Sequence, residues 1–179
     1  MPPPTRPGPE IMPNAQRVAL ICHSANAALG LQVEEYRAAA RDLGIEFSPL
    51  DFSVAEEIER AFETASKKKA DVLLPLSDPM ALDNASKIGD LSIHRRIPVV
   101  SPFQEITEAG GVLGFGPDLS TLFRRSASMV DQILKGAQPG DISIGEPQKF
   151  DLSINLKSSR ALDLTIPVSL VSRATYLVR

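Results

Sequence analysis

The sequence contains one cysteine, no tryptophan and two histidines. Cys22 alone excludes an internal disulfide. With only His23 and His94 beside it, three or four clustered nitrogen and sulfur ligands cannot be assembled, so no metal is expected. Cys22 ends an apolar run and reads as a buried, inert thiol. Aromatic residues make up only 5% of the chain, too few for base-stacking platforms. The formal net charge of -3 gives no electrostatic reason to bind nucleic acid or an anionic membrane. No apolar run approaches the length of a transmembrane helix. The proline-rich start lacks the charged and apolar regions of a signal peptide. As written, the chain is expected to be neither exported nor membrane-anchored, hence cytoplasmic if the sequence is complete.

Phosphate and nucleophile motifs are also lacking. No GxGxxG follows the first apolar run, no GxxxxGK[ST] occurs, and no GxSxG elbow is present. The loop from His23 to Gly30 lacks the glycines that would let backbone approach a pyrophosphate. No cofactor and no enzymatic activity are expected. Hydrophobic residues nevertheless reach 43% against 23% charged, which is enough for a globular core.

Residues 1–16, with Pro2, Pro3, Pro4, Pro7, Pro9 and Pro13, read as a flexible, extended tail. From Arg17 to Arg179 the pattern is that of one α/β domain. Val18 to Cys22 reads as a strand buried on both faces. A helical stripe follows at Leu29, Val33, Tyr36, Ala40 and Leu43, stopped by Gly44. Ile45 to Leu50 is a more polar strand, placed nearer an edge. A second helix carries Val54, Ile58, Phe62 and Ala65 and ends in Lys67, Lys68 and Lys69, a solvated cap. Asp71 to Leu76 is a third strand. Ser77-Asp78-Pro79 opens a helix with Ala81, Ala85, Ile88 and Leu91 inward, and Ile97 to Val100 is a fourth strand. Such alternation predicts a parallel sheet flanked by helices.

The glycine-rich stretch Ala109 to Pro117 reads as an extended connection. Asp118 then caps a long helix with Leu119, Leu122, Phe123, Ala127, Val130 and Ile133 inward and Gly136 as its stop. Phe150 to Asn155 alternates as a half-buried strand, and helical pieces near Lys157 to Leu162 and Pro167 to Val171 finish the chain.

Ligands of parallel sheets bind beyond the carboxyl ends of the strands, which selects the loops His23–Asn26, Ser77–Pro79 and Ser101–Glu108. Ser24, Asn26, Ser77 and Asp78 are the candidate ligand-binding residues. An anionic group would go to helix N–H groups and an amine to Asp78. The same four residues also suit helix capping. Phe103 and Phe115 are candidates for an apolar wall, with core packing the competing role.

Five segments in order resemble one family. They are Arg17-Val-Ala-Leu-Ile with its Ser/Asn loop; Ala70-Asp-Val-Leu-Leu-Pro-Leu-Ser-Asp-Pro79; Glu105-Ile-Thr-Glu-Ala-Gly-Gly-Val-Leu-Gly-Phe-Gly-Pro-Asp118; Ile133-Leu-Lys-Gly-Ala-Gln-Pro-Gly-Asp141; and Pro147-Gln-Lys-Phe-Asp-Leu-Ser-Ile-Asn-Leu-Lys157. The ending Ala161-Leu-Asp-Leu-Thr-Ile-Pro167 also fits. Together they are similar to the second lobe of the ABC transporter substrate-binding proteins of tryptophan/tyrosine type. The resemblance implies a periplasmic-binding-protein type I-like lobe, in the C-terminal half of a two-lobed protein that closes on a small molecule such as an amino acid. It also implies a membrane permease as partner and a periplasmic or extracytoplasmic setting. By that resemblance Ser77 and Asp78 match a ligand-facing loop, and Ser24 and Asn26 match the first loop. Segment 111–149 matches a crossover whose helix belongs to the other, missing lobe. With that lobe absent, the apolar stripe of helix 118–135 needs a partner, and a homodimer is expected. A stand-alone small-molecule sensor or regulatory domain of the same fold is the alternative.

Overall fold

The computed structural model describes residues 8–23, 26, 29–147 and 149–179. Seven strands are ordered β2-β1-β3 and β4-β5-β6-β7. They are β1 (Arg17–His23), β2 (Glu46–Phe52), β3 (Val72–Pro75), β4 (Val100–Ser101), β5 (Leu113–Pro117), β6 (Phe150–Asn155) and β7 (Tyr176–Val178). The two groups meet at a parallel bridge between Leu73 and Val99, where the Leu73 N–H donates to the Pro98 carbonyl at 2.9 Å. Strands β1, β2 and β3 pair in parallel, as do β4 and β5; β6 runs antiparallel to β5 and parallel to β7. The expected parallel sheet flanked by helices is thus present, with two reversed strands at one edge. The polar second strand does lie at the other edge.

Strand β1 has apolar side chains on both faces because helices cover both. Ala19 and Ile21 face α3 (Glu57–Lys67) and the broken pair α4 (Pro79–Asp83) and α5 (Ala85–Arg95). Phe62 and Ile58 of α3 are fully buried there, each worth about 1.5–3 kcal/mol in area removed from water. Leu20 and Cys22 face α2 (Leu29–Asp42), packed with Leu29, Val33 and Leu76. Only the first half of the α2 stripe and Ala40 are covered; Tyr36 and Leu43 are exposed. The third helix has the predicted inner face, but a break at Asn84 divides it. A second core gathers Leu113, Leu152 and Ile154 with α8 (Leu156–Ala161) and α9 (Val168–Arg173).

The structure corrects four expectations. Residues 8–16 do not behave as loose tail: α1 (Gly8–Ile11) buries Ile11 in the second core, and Glu10 pairs with Arg173 at 2.9 Å. One apolar side chain with a place to pack outweighs the local proline bias. Residues 1–7 lie outside the described residues. The glycine-rich stretch ends in a sheet strand, β5, whose glycines are required by close neighbours. A Cβ on Gly114 would meet Ser153 Oγ at 2.2 Å, and one on Gly116 the Pro102 carbonyl at 2.3 Å. Strand β6 is buried on both faces from Leu152 to Asn155. Its polar residues are satisfied inside: Ser153 donates to Thr107 Oγ1 at 3.0 Å and Asn155 to the Thr107 carbonyl at 2.8 Å, on α6 (Gln104–Glu108).

The fourth correction concerns α7 (Leu119–Leu134). Asp118 caps it as expected, accepting from the Thr121 N–H at 3.0 Å, but no residue of the helix is buried. Phe123 is 72% and Leu134 82% exposed. The helix leaves and rejoins the sheet at adjacent points. Pro117 pairs with Phe150, the Asp118 N–H donates to the Lys149 carbonyl at 3.0 Å, and the Lys149 ammonium pairs with Asp118 at 2.7 Å.

Candidate ligand site

The chain proceeds from β1 outward to β2, then crosses back to β3 on the other side of β1. That reversal is a topological switch point, the place where open parallel sheets take ligands, beyond the carboxyl ends of the strands. Asn26 stands in the first loop, and Asp78 lies three residues beyond the end of β3. The Asn26 amide donates to Asp78 Oδ2 at 2.8 Å across 52 residues.

Asp78 is the N-cap of α4. Its Oδ1 accepts the Met80 N–H at 2.8 Å, with Pro79 at the first helical position. His23, the last residue of β1, brings Nδ1 to 3.5 Å from the same oxygen. Burial alone would raise the Asp78 carboxyl. The Asn26 amide, the Met80 N–H and His23 outweigh it and hold the carboxyl below the usual range, so it is a carboxylate at neutral pH. A carboxylate has about four acceptor positions. Among the described residues three neighbours, Asn26, Met80 and His23, face it.

His23 is fixed from behind by Phe52, ring centroids 5.6 Å apart. Its role was not legible in sequence, where it reads only as a neighbour of Ser24. The available signal was strand parity: Ala19, Ile21 and His23 share one face of β1, and Phe52 is the register partner of His23.

The other candidates separate. Ser77 is exposed beside Asp78, while Ser24 lies outside the described residues. Phe103, half-buried, packs on the first core and also lines a cleft of about 170 Å³ after β4 and β5. That cleft includes Gln104, Glu105, Asp151, Ser153 and the start of α7. It is smaller than the roughly 300 Å³ at which pockets for drug-sized ligands begin. Phe115 is turned the other way, stacked on Phe150 at 5.5 Å and packed on the second core. Gly114 and Gly116 occupy the cleft side of its strand. Phe103 and Phe115 therefore do not form one wall, and core packing describes Phe115. Among the described residues no group of three His, Cys, Asp or Glu side chains is placed to hold a metal.

Comparison with known proteins bears on the fold and the family. A solved domain in complex with L-Trp from Streptococcus pneumonia superimposes with a TM-score of 0.84 at 22% identity, over 95% of this chain and 57% of that one. A conserved domain protein from Vibrio cholerae gives 0.85 at 23% identity, over 94% and 57%. A tyrosine-binding protein of Clostridioides difficile is 20% identical over 154 residues, 86% of this chain and 44% of that protein. The chain thus spans about half the length of the relatives it matches. The profile of one family, described as ABC transporter substrate binding protein, matches residues 9–178. The chain belongs to the ABC transporter substrate binding protein family.

Proposed function

We propose that this chain is a solute-binding lobe that takes an amino acid at the crevice between the loops after β1 and β3. The observation that carries the reading is Asp78, a buried carboxylate held ionised at the switch point. An α-ammonium is a natural partner for that carboxylate. Asn26 holds Asp78 in place, and Phe103 at the next loop supplies apolar surface. The names of two relatives, one bound to L-Trp and one tyrosine-binding, favour aromatic amino acids as the first ligands to try. The lobe binds and releases its ligand without chemistry.

Delivery to a membrane permease from an extracytoplasmic position is the transport role that accords with the family. Ser24 and Ser77 are proposed as further contacts of the same ligand. The apolar face of α7 is proposed to pair with a second copy of this chain. Its Phe123, Val130 and Ile133 are exposed at helical spacing, an apolar stripe that a second copy could cover. A monomer in sedimentation at micromolar concentration would rule that pairing out.

The test of binding is a thermal-shift screen of the chain against the amino acids, followed by calorimetry on any that raise the melting temperature. A concentration-dependent rise with L-Trp or L-Tyr, lost in Asp78→Asn, is the expected result. No rise with any amino acid, or equal affinity in the variant, would overturn the assignment.

A further inference from the structure

The His23 side chain stacks on Phe52 of the neighbouring strand and also stands 3.5 Å from the carboxylate assigned to the ligand. This side chain is 17% exposed and that of Asp78 4%, so the pair is weakly screened by solvent. The Phe52 ring, itself buried, stacks on the imidazole at an interplanar angle of 27° and holds its plane beside Asp78.

Other charges near this point are directed elsewhere. Asp51, next to Phe52 on β2, is in register with Cys22 and so stands on the opposite pleat, where it acts on the thiol. Glu57 of α3 accepts the Ser53 N–H at 2.8 Å and pairs with Arg60. Lys87 of α5 donates to the Ala55 carbonyl at 2.7 Å, and Asp83 is exposed at the far end of α4.

We propose that His23 is a charge-setting residue for the ligand crevice: neutral, it leaves the Asp78 carboxylate to an incoming ammonium, and protonated, it takes that carboxylate for itself. The inference rests on the amino-acid reading above. A protonated imidazole and a ligand ammonium compete for one buried negative charge, and having both there places two cations together. Protonation of His23 therefore releases the ligand. Ligands without an amine escape this penalty, so His23 also sets the crevice's preference between amino acids and their deaminated analogues.

The experiment is calorimetric titration of the full chain with L-tryptophan and L-tyrosine near pH 8 and near pH 5.5. Both ligand ammonium groups stay protonated over that range, so the ligand's own charge does not change. The expected result is weaker binding of both amino acids at the lower pH, a loss that the His23 variants do not show. In His23→Gln the pH dependence should disappear. His23→Phe, which keeps a ring on Phe52, should behave the same way, separating charge from packing. Indole-3-propanoate, lacking the amine, should not bind more weakly in acid. Wild-type affinity unchanged by pH, or an equal acid loss in both His23 variants, overturns this inference and leaves the amino-acid reading standing. Binding of neither amino acid at either pH overturns both.

Discussion

The Asn26 amide donates to the Asp78 carboxylate at 2.8 Å, a hydrogen bond that joins the two loops of the switch point. Removing the donor strands part of a buried anion. Asn26→Ala should cost about 1–3 kcal/mol, seen as a lower urea midpoint at unchanged slope. An unaltered midpoint would mean that water replaces the amide at no cost.

Asp78 also caps α4, and the two roles separate by substitution. Asp78→Asn retains a capping oxygen and should lose little stability through the cap, whereas Asp78→Ala should lose about 1 kcal/mol more. Equal denaturation midpoints for the two variants would show that the Met80 N–H is satisfied without the side chain.

Gly89 of α5 lies against the backbone of Ala109 and Gly110. A Cβ there would come within 1.8 Å of the Ala109 carbonyl oxygen. Gly89→Ala should destabilise by about 1–3 kcal/mol, because a whole helix must shift to admit the methyl group. Gly30, in α2 with no atom within 4 Å of its would-be Cβ, is the control. Gly30→Ala should stabilise by up to roughly 1 kcal/mol. Thermal melts of both variants check the contrast.

Three aspartates set the acid limit. Asp71 would be raised by its partial burial, but the Gln16 and Arg17 N–H groups and the Arg17 guanidinium lower it overall. Asp78 is lowered as described, and the hydrogen bond from Lys149, with the Thr121 N–H, holds Asp118 far below the usual range. Folded values below the unfolded value of about 3.9 mean that this stability is fully present above that pH and is lost as pH falls through the folded values. Urea midpoints should be level from about pH 5 to 7 for these groups and drop below about pH 4. Asp71→Asn should flatten part of that drop.

Because α7 buries nothing, Phe123→Ser should change the stability of the monomeric domain by less than about 0.5 kcal/mol, read from urea denaturation in dilute solution. A larger loss would show that the helix packs against the domain in solution.

The sequence rendered the first half of the fold well and the second half poorly, for a physical reason. Up to Val100 each element alternates apolar runs with amphipathic stripes, and the two periods distinguish strand from helix. After Ala109 the rules conflict. Strand β5 contains Gly114 and Gly116, which weaken a strand locally, and only Ser153, Thr107 and Pro102 from other parts of the chain explain them. Strand β6 looks half-buried because Ser153 and Asn155 are polar, although both are buried and bonded to α6. At the site, Asp78 was legible because a capping residue before proline is a local signal. Its tie to Asn26 and its neighbour His23 were not, since they depend on strand order.

Segment 118–149 departs from β5 and returns to β6 at one rung of an antiparallel ladder. Its two ends therefore stand about 5 Å apart, the separation a tight hairpin turn also spans. To the sheet, a 16-residue helix with its return and a two-residue turn are interchangeable closures of the same two strands. The position is a graft site: replacing 119–148 by Asn-Gly should leave a smaller domain that still folds. Any unit whose own termini lie side by side can be carried there without disturbing the crevice between β1 and β3.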